Sequence, residues 1–552
     1  MEIAHPLNKN QSWIYLTIII LSGIIFFIPF LGKVHLFDWD EINFAESARE
    51  MIVTGDYHRV QINFQPFWEK PPLFFWLQAA CMHLFGINEF SARLPNALIG
   101  IVTLVTLFLI GKKHKSPQFG FIGAISYLGT FLPHLYFKSA IIDPVFNYFI
   151  FMGIYFMYLD ISESFSKNKF FYPSLAGLFI GLATLTKGPV GLLVFLIAFF
   201  VYFIFTRFKN FPGIKKILFF ILCFTVICFL WFGTEVINNG FRFLTEFFSY
   251  QVDLFLKPVA SHGEPFYYHF VVVFIGCFPI SIMALPVLFG KHIYWKNDFL
   301  LLMKILFWSV LILFSITTTK IVHYSSLTYM PLSFLASVYL DKLVLNHERM
   351  KKYVLVLIAL MGFVFSFLLA AIPFVAIHQN LLLPYLKDPF AAASLQVKVN
   401  WSGYESFIGA AYLIAVLFAV IMLSRKKYLK GILFLFYSTA VCLFIYLLAV
   451  VPKIERYSQG PAIDFYKSIS GKDVYVWPVG FKSYAHYFYA KKPAFPVYGE
   501  ADEKFLLEGD IRKPAFFVVK NTKENFESIC HGCTLIKQEG GFKFYRRDPP
   551  GK

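Results

Sequence analysis

Apolar runs of membrane-spanning length alternate with short connections along most of this chain, and the pattern breaks only toward its end. A helix that crosses ~30 Å of hydrocarbon needs about 20 apolar residues. By that measure about thirteen stretches predict spanning helices, at approximately 13–31, 93–111, 119–137, 140–160, 170–186, 189–206, 216–234, 269–290, 299–317, 324–340, 353–377, 404–423 and 430–451. The first run is longer than the apolar core of a signal peptide, about 7–15 residues, and no small-x-small cleavage site follows it, so it is expected to stay as the first span. After residue 451 the texture changes. The segments 473–477 and Ala515–Lys520 read as short buried strands in turn-rich sequence. A membrane region over 1–451 and a small α/β domain over 452–552 are therefore expected.

Basic residues fall in alternate connections. These are Lys112, Lys113 and Lys115; Lys167 and Lys169; Arg207, Lys209, Lys215 and Lys216; Lys291 and Lys296; Lys342, Arg349, Lys351 and Lys352; and Arg425, Lys426, Lys427 and Lys430. The positive-inside rule puts all of them in the cytoplasm if the N-terminus is there too. Three larger pieces then lie outside, over 32–91, 235–268 and 452–552.

Composition supports the lipid-facing reading. Of 552 residues, 58% are hydrophobic and 15% charged, against roughly 25% charged in soluble domains. The net charge of +17 would suggest a nucleic-acid partner in a soluble protein. Here cytoplasmic loops account for it, and no nucleic-acid partner is expected. Cys81, Cys223, Cys228, Cys277 and Cys442 lie in or beside apolar stretches and read as small buried hydrophobes. Cys530-His-Gly-Cys533 has the spacing of a zinc or redox pair. A local disulfide in an oxidising compartment is the plainer reading, with free thiols as the alternative. No internal repeat is visible, which weakens a transporter built from inverted repeats.

The loop over 32–91 concentrates the chemistry. Asp38, Asp40 and Glu41 follow directly on the first span. Ile42, Ala45, Ala48 and Ile52 then form an apolar stripe at helical spacing, with Gly55 as a natural stop. This predicts a helix lying along the membrane surface and opened by carboxylates. Asp38 with Glu41 three residues on fits a capping box, which needs no catalysis. Asp40 is an extra carboxylate at the membrane mouth. Downstream, Pro71 and Pro72 hold the backbone extended, so Glu69 and Lys70 sit on a stiff segment before an apolar run. Lys70 either snorkels to headgroups or grips a lipid phosphate.

Asp40-Glu41, Glu46-x-x-Arg49-Glu50-Met51, Gly55-Asp56-Tyr57 and Glu69-Lys70-Pro71-Pro72, in this order and spacing, resemble the first periplasmic loop of bacterial aminoarabinose transferases. Those enzymes are relatives of the protein O-mannosyltransferases in the C-type glycosyltransferase superfamily. Lys138-x4-Asp143-Pro144 is similar to the family's second outer loop, with Lys where Arg is frequent. Thr186-Lys187-Gly188-Pro189, His262-x-x-Pro265-Phe-Tyr-Tyr268, and Lys320-x-x-His323-Tyr324 followed by Pro331 resemble three further family motifs. All fall on the side that the charge rule puts outside. The likeness covers residues 10–340; beyond them only the layout of further spans and a soluble tail matches.

The resemblance implies a polytopic α-helical inner-membrane enzyme of the C type, with outer amphipathic helices. It would take a sugar from a polyprenyl phosphate and pass it, with inversion, to a glycolipid such as lipid A, a polysaccharide or a protein. Asp40 would be the general base, with Asp143 assisting and Glu41 as a further catalytic carboxylate. Lys70 would neutralise the departing phosphate, with Tyr324 as hydrogen-bond donor and Lys320 or Arg242 as further cations. Glu69 and His262 resemble positions that share a divalent metal in the family, or they form a hydrogen bond between two loops; two ligands are a thin zinc site. Lys187 either serves the site or snorkels. A flippase for a lipid-linked sugar is the alternative; it would place ionisable residues along a path through the spans, whereas these sit at outer mouths.

Overall fold

The computed structural model describes residues 9–162, 169–209, 211–257, 263–290, 298–493, 503–523 and 526–550. Every predicted stretch coincides with helix. Among the described residues, eight helices are long and apolar enough to cross a membrane singly; a ninth span forms if Tyr268–Gly276 and Ile280–Leu288, bent by 115°, count as one. The protein is a multi-pass membrane protein. The other predicted stretches are shorter or broken. Phe171–Lys187 has 17 residues and Val190–Phe205 has 16; at 1.5 Å per residue each reaches only ~25 Å. The stretch over 119–137 breaks at Gly129 into Pro117–Leu128 and Phe131–Tyr136. A Cβ at Gly129 would lie 2.1 Å from the Phe436 carbonyl oxygen, so the helices meet there only because that side chain is missing.

Four early helices frame or fall within the loop over 32–91: α1 (Lys9–Phe27), α2 (Asp40–Thr54), α3 (Leu73–Phe85) and α4 (Glu89–His114). A two-stranded hairpin, β1 (Gln61–Ile62) with β2 (Gln65–Pro66), lies between α2 and α3. α2 is the helix that the stripe predicted, with Ile42, Ala45 and Ala48 buried, but protein covers it on all faces from Glu41 to Met51.

The C-terminal segment carries a mixed four-stranded sheet, in the order β3 (Tyr475–Val479), β4 (Ala515–Lys520), β6 (Phe542–Arg547), β5 (Cys533–Glu539). β3 runs parallel to β4, and β6 is antiparallel to both β4 and β5. The strand expected at 473–477 thus begins two residues later, and β4 falls where it was expected. Cys530 and Cys533 are joined by a disulfide. The segment does not stand apart from the first loop: Ile42, Ala45 and Ala48 of α2 share one buried apolar cluster with Ile463, Tyr466, Phe488 and Phe544.

Ion pairs mark the two ends of the bundle. The helix Asp143–Ser162 carries Asp143, bound to Lys187 at 2.6 Å, at its start and Asp160, bound to Lys216 at 2.8 Å, near its end. Lys115, just past α4, pairs with Asp341 at 2.7 Å. Lys187 and Lys216 therefore lie at opposite ends of the helix Asp143–Ser162.

Candidate active site

α2 begins with Asp40 and Glu41, where carboxylates oppose the positive end of the helix dipole. It ends at Gly55, whose φ of 73° is left-handed and suits glycine. The capping box expected of Asp38 and Glu41 does not form, because both carboxylates have other partners. Asp38 accepts a hydrogen bond from Ser483, and burial pushes its pKa up to about 6 against that bond. Glu41 accepts from Arg93 Nε at 3.0 Å and Nη2 at 2.7 Å, from Phe37 N–H at 2.9 Å and from Ala140 N–H at 2.6 Å.

Glu41, expected as a further catalytic carboxylate, is therefore corrected to a buried anchor: both of its oxygens are committed to a bidentate, charge-assisted pair and two amides. The same Arg93 donates to the carbonyls of Leu31 and Val34 at 2.7 Å and of His35 at 2.9 Å, so one ion pair ties the end of the first span to α2. Ala140 ties in the next turn, which Asn96 also holds through Ser139 O and Ile141 O, both at 2.7 Å. Asp143 starts its helix directly after that turn. Lys138, in the family-like second loop, caps the end of α1 through Phe26 O, Phe27 O and Pro29 O.

These anchors bring Asp40 and Asp143 to one cavity of about 530 Å³. His323 stands between them, its Nε2 3.5 Å from Asp40 Oδ2 and 3.6 Å from Asp143 Oδ2. Lys187 Nζ donates to Asp143 Oδ1 at 2.6 Å and lies over the Tyr324 ring. The two carboxylates are not equivalent. The Asp40 side chain is 39% exposed, the Asp143 side chain 4%. Asp40 is the one free to meet a reactant.

Lys70 lines the same cavity, with its ammonium 4.9 Å from the centre of the Tyr250 ring. Burial lowers its pKa from the ordinary lysine value, and the charge of Glu69 opposes that fall. Among the described residues Lys70 has no ion-pair partner closer than 4.0 Å. Burial, followed by the charge of Glu69, raises the Tyr250 pKa, so the phenol stays protonated. Gln251 Nε2 donates to the Glu69 carbonyl at 3.2 Å. A second, narrower cavity adjoins the first. Lys70, Asp143, Lys187, Leu254 and Tyr324 border both, while Phe146, Val190, Phe255 and Phe314 line only the second. The cations thus stand where a polar chamber meets an apolar one.

Two expected cations lie elsewhere. Lys320 is buried and donates to Thr317 O at 2.6 Å, closing the end of the helix Asp298–Ile316 instead of facing the cavity. The Arg242 side chain is 80% exposed and pairs with Glu246 one turn on, at 2.6 Å. His262 lies outside the described residues. Glu69 borders the cavity, but its neighbours are Lys70 and Tyr250, a cation and a hydrogen-bond donor. Among the described residues no group of three or more His, Cys, Asp or Glu is placed to hold a metal ion, so no step is routed through one.

The sequence alone assigns no role to His323, although it stands inside a family-like motif, and leaves Lys187 undecided. Tyr250 also escapes a reading by motif, although Phe243, Phe247, Tyr250 and Leu254 form a helical stripe that marks the inward face of Phe241–Leu256. Lys482 and Tyr484, which also border the cavity, carry no local signal because they arrive from the C-terminal segment.

The family model for dolichyl-phosphate-mannose-protein mannosyltransferases matches residues 69–232. A protein from Aquifex aeolicus is 29% identical over 350 residues, 63% of this chain and 78% of its own length. The undecaprenyl phosphate-alpha-4-amino-4-deoxy-L-arabinose arabinosyl transferase of Wigglesworthia glossinidia brevipalpis is 26% identical over 353 residues, 62% of this chain and 61% of its own. The match thus spans about three fifths of that transferase. In fold, the chain is similar to the crystal structure of ArnT from Cupriavidus metallidurans bound to undecaprenyl phosphate, with a TM-score of 0.77 at 18% identity over 98% of both chains. The chain is thus similar in sequence to the mannosyltransferase family model and to the arabinosyl transferases over part of its length, and it shares the fold of the ArnT structure over nearly all of it.

Proposed function

We propose that the protein is an inner-membrane glycosyltransferase that moves a sugar from a polyprenyl phosphate to an acceptor at the periplasmic face. Its N-terminus lies in the cytoplasm and its C-terminal segment in the periplasm, in keeping with the basic connections. The observation that carries this reading is the junction of the two cavities. The smaller, mainly apolar cavity, about 50 Å³, suits the first carbons of a prenyl chain, and Lys70, Lys187 and Tyr324 at its mouth suit a phosphate. The relatives named for an undecaprenyl-phosphate sugar donor support it.

In this reading the acceptor oxygen attacks the anomeric carbon and the bond from that carbon to the phosphate oxygen breaks, with inversion. The electron pair leaves on the phosphate. Lys70 meets the growing charge in a partly desolvated site, where an ammonium is worth more than in water. Lys187, already paired with Asp143, orients and shares that charge. If the acceptor is a hydroxyl, Asp40 takes its proton, and His323 keeps Asp40 and Asp143 apart and oriented. If the acceptor is a phosphate of a lipid A-like glycolipid, it arrives anionic and Asp40 orients it. A polysaccharide or protein hydroxyl uses the first route.

The test is transfer in proteoliposomes supplied with a radiolabelled polyprenyl-phosphate sugar and envelope acceptors. Labelled product from the wild type, lost in Asp40→Asn and Lys70→Ala at unchanged protein level, is the expected result. Donor crossing the bilayer with no product, and no effect of Asp40→Asn, would sink the proposal and leave a flippase.

A further inference from the structure

The cavity has a wall that the donor does not need. Its apolar end is bordered by Lys70, Lys187 and Tyr324. Lys482 and Tyr484 of the C-terminal segment, with Trp39, border only the larger chamber. Asp40 is common to that chamber and follows Trp39 directly in the chain. Trp39, Lys482 and Tyr484, with Asp40, therefore line the part of the chamber that the apolar cavity does not share.

The wall is built rather than incidental. Lys482 Nζ lies 4.9 Å from the centre of the Trp39 ring and 5.8 Å from that of Tyr484. The two rings meet edge to face at 5.3 Å. Between Lys482 and Tyr484 in sequence, Ser483 donates to Asp38, the neighbour of Trp39, which pins the segment onto the first loop. Aromatic faces hold an ammonium without neutralising it, and among the described residues Lys482 pairs with no carboxylate. A positive charge framed by two aromatic rings is suited to a sugar ring that carries a negative group: the rings take the apolar face of the sugar and the ammonium takes the anion.

We propose that Lys482, Tyr484 and Trp39 form the acceptor subsite and select an anionic sugar, with the C-terminal segment supplying the specificity-determining charge. This rests on the transferase reading for the word acceptor, but the binding it requires can be measured without catalysis. A phosphate and a carboxylate on the sugar share the chemistry, and the probes separate them.

The experiment is calorimetric binding to the full-length protein in detergent, with maltose 1-phosphate, maltobionate and maltose as probes. The wild type is expected to bind at least one anionic probe roughly tenfold more tightly than maltose. Lys482→Ala should remove that preference, Lys482→Arg should keep most of it, and Tyr484→Ala should weaken all three probes together. Binding of polyprenyl phosphate should be unchanged in Lys482→Ala and weakened in Lys70→Ala. Which anionic probe wins tells phosphate from carboxylate. Equal affinity for charged and neutral sugars, or a preference lost in Lys70→Ala and kept in Lys482→Ala, would overturn the subsite. A failure of the transferase reading shows separately, as wild-type protein that yields no labelled product in the proteoliposome assay.

Discussion

The ammonium of Lys187 donates to the Asp143 carboxylate over 2.6 Å, and both groups are largely hidden from solvent. Each neutralises a charge that would be costly alone. Lys187→Ala should therefore destabilise the protein by about 3 kcal/mol, since it leaves Asp143 unpaired. Lys187→Ala with Asp143→Ala should recover most of that loss, though not activity. Thermal unfolding of the single and double variants in detergent closes the cycle. Additive losses would mean that the pair is not coupled.

Asp40 and Glu41 are adjacent in the chain but opposite in role. Asp40 faces the cavity, and Asp40→Asn should lower kcat by about 100-fold or more toward a hydroxyl acceptor, with the melting temperature unchanged. Glu41→Gln should do the reverse. It weakens the hub formed by Arg93, Phe37 and Ala140, so stability should fall by about 3 kcal/mol while the protein that remains folded keeps its kcat. Kinetics normalised to folded protein separate the two.

Much of this site is legible in sequence because its pieces are local. The helix α2 and the Lys187-Gly188 turn declare themselves through spacing or fixed backbone, whereas the extended form expected of Pro71-Pro72 gives way at Pro72, whose ψ of -13° already starts the next helix. What sequence does not give is which of two neighbouring carboxylates turns inward. Asp38 and Glu41 read as a cap because capping is a local rule; their real partners, Ser483 and Arg93, lie 445 and 52 residues away. Lys320 and Arg242 mislead for a related reason. A cation near a membrane mouth is compatible with a phosphate, but Lys320 meets a helix carbonyl and Arg242 a surface Glu. The number of spans is blurred because Phe171–Lys187 and Val190–Phe205 fall short of the bilayer thickness by about a turn.

Lys70 and Arg242 separate a site cation from a surface one. Lys70→Ala should raise the donor KM or lower kcat/KM by about 100-fold, the effect of losing one charge-stabilising donor. Arg242→Ala removes only an exposed helix pair, and should leave kcat/KM within about twofold. Initial rates against polyprenyl-phosphate sugar concentration provide the comparison. An Arg242→Ala loss as large as that of Lys70→Ala would return Arg242 to the site.

Glu50 ties α2 to the hairpin and the C-terminal segment, and it should make that contact sensitive to pH. Its carboxylate receives the Asn63 amide at 2.6 Å and the Phe64 amide at 2.8 Å. Glu46, which Arg49 holds at 2.7 Å, stands beside it, and Lys492 reaches Asn63 Oδ1 at 2.7 Å. Burial, followed by the charge of Glu46, pushes the Glu50 pKa from 4.5 up to about 8. The native state thus holds this proton more tightly than the unfolded chain does. The stability it contributes is full below pH 4.5 and is lost as pH rises to about 8. The loss should reach about 1.4 kcal/mol per pH unit within that window. Melting temperatures measured across the window should fall, and Glu50→Gln, which cannot ionise, should flatten the curve. A wild-type profile that rises over this range, or one that Glu50→Gln leaves unchanged, would show that the proton resides elsewhere.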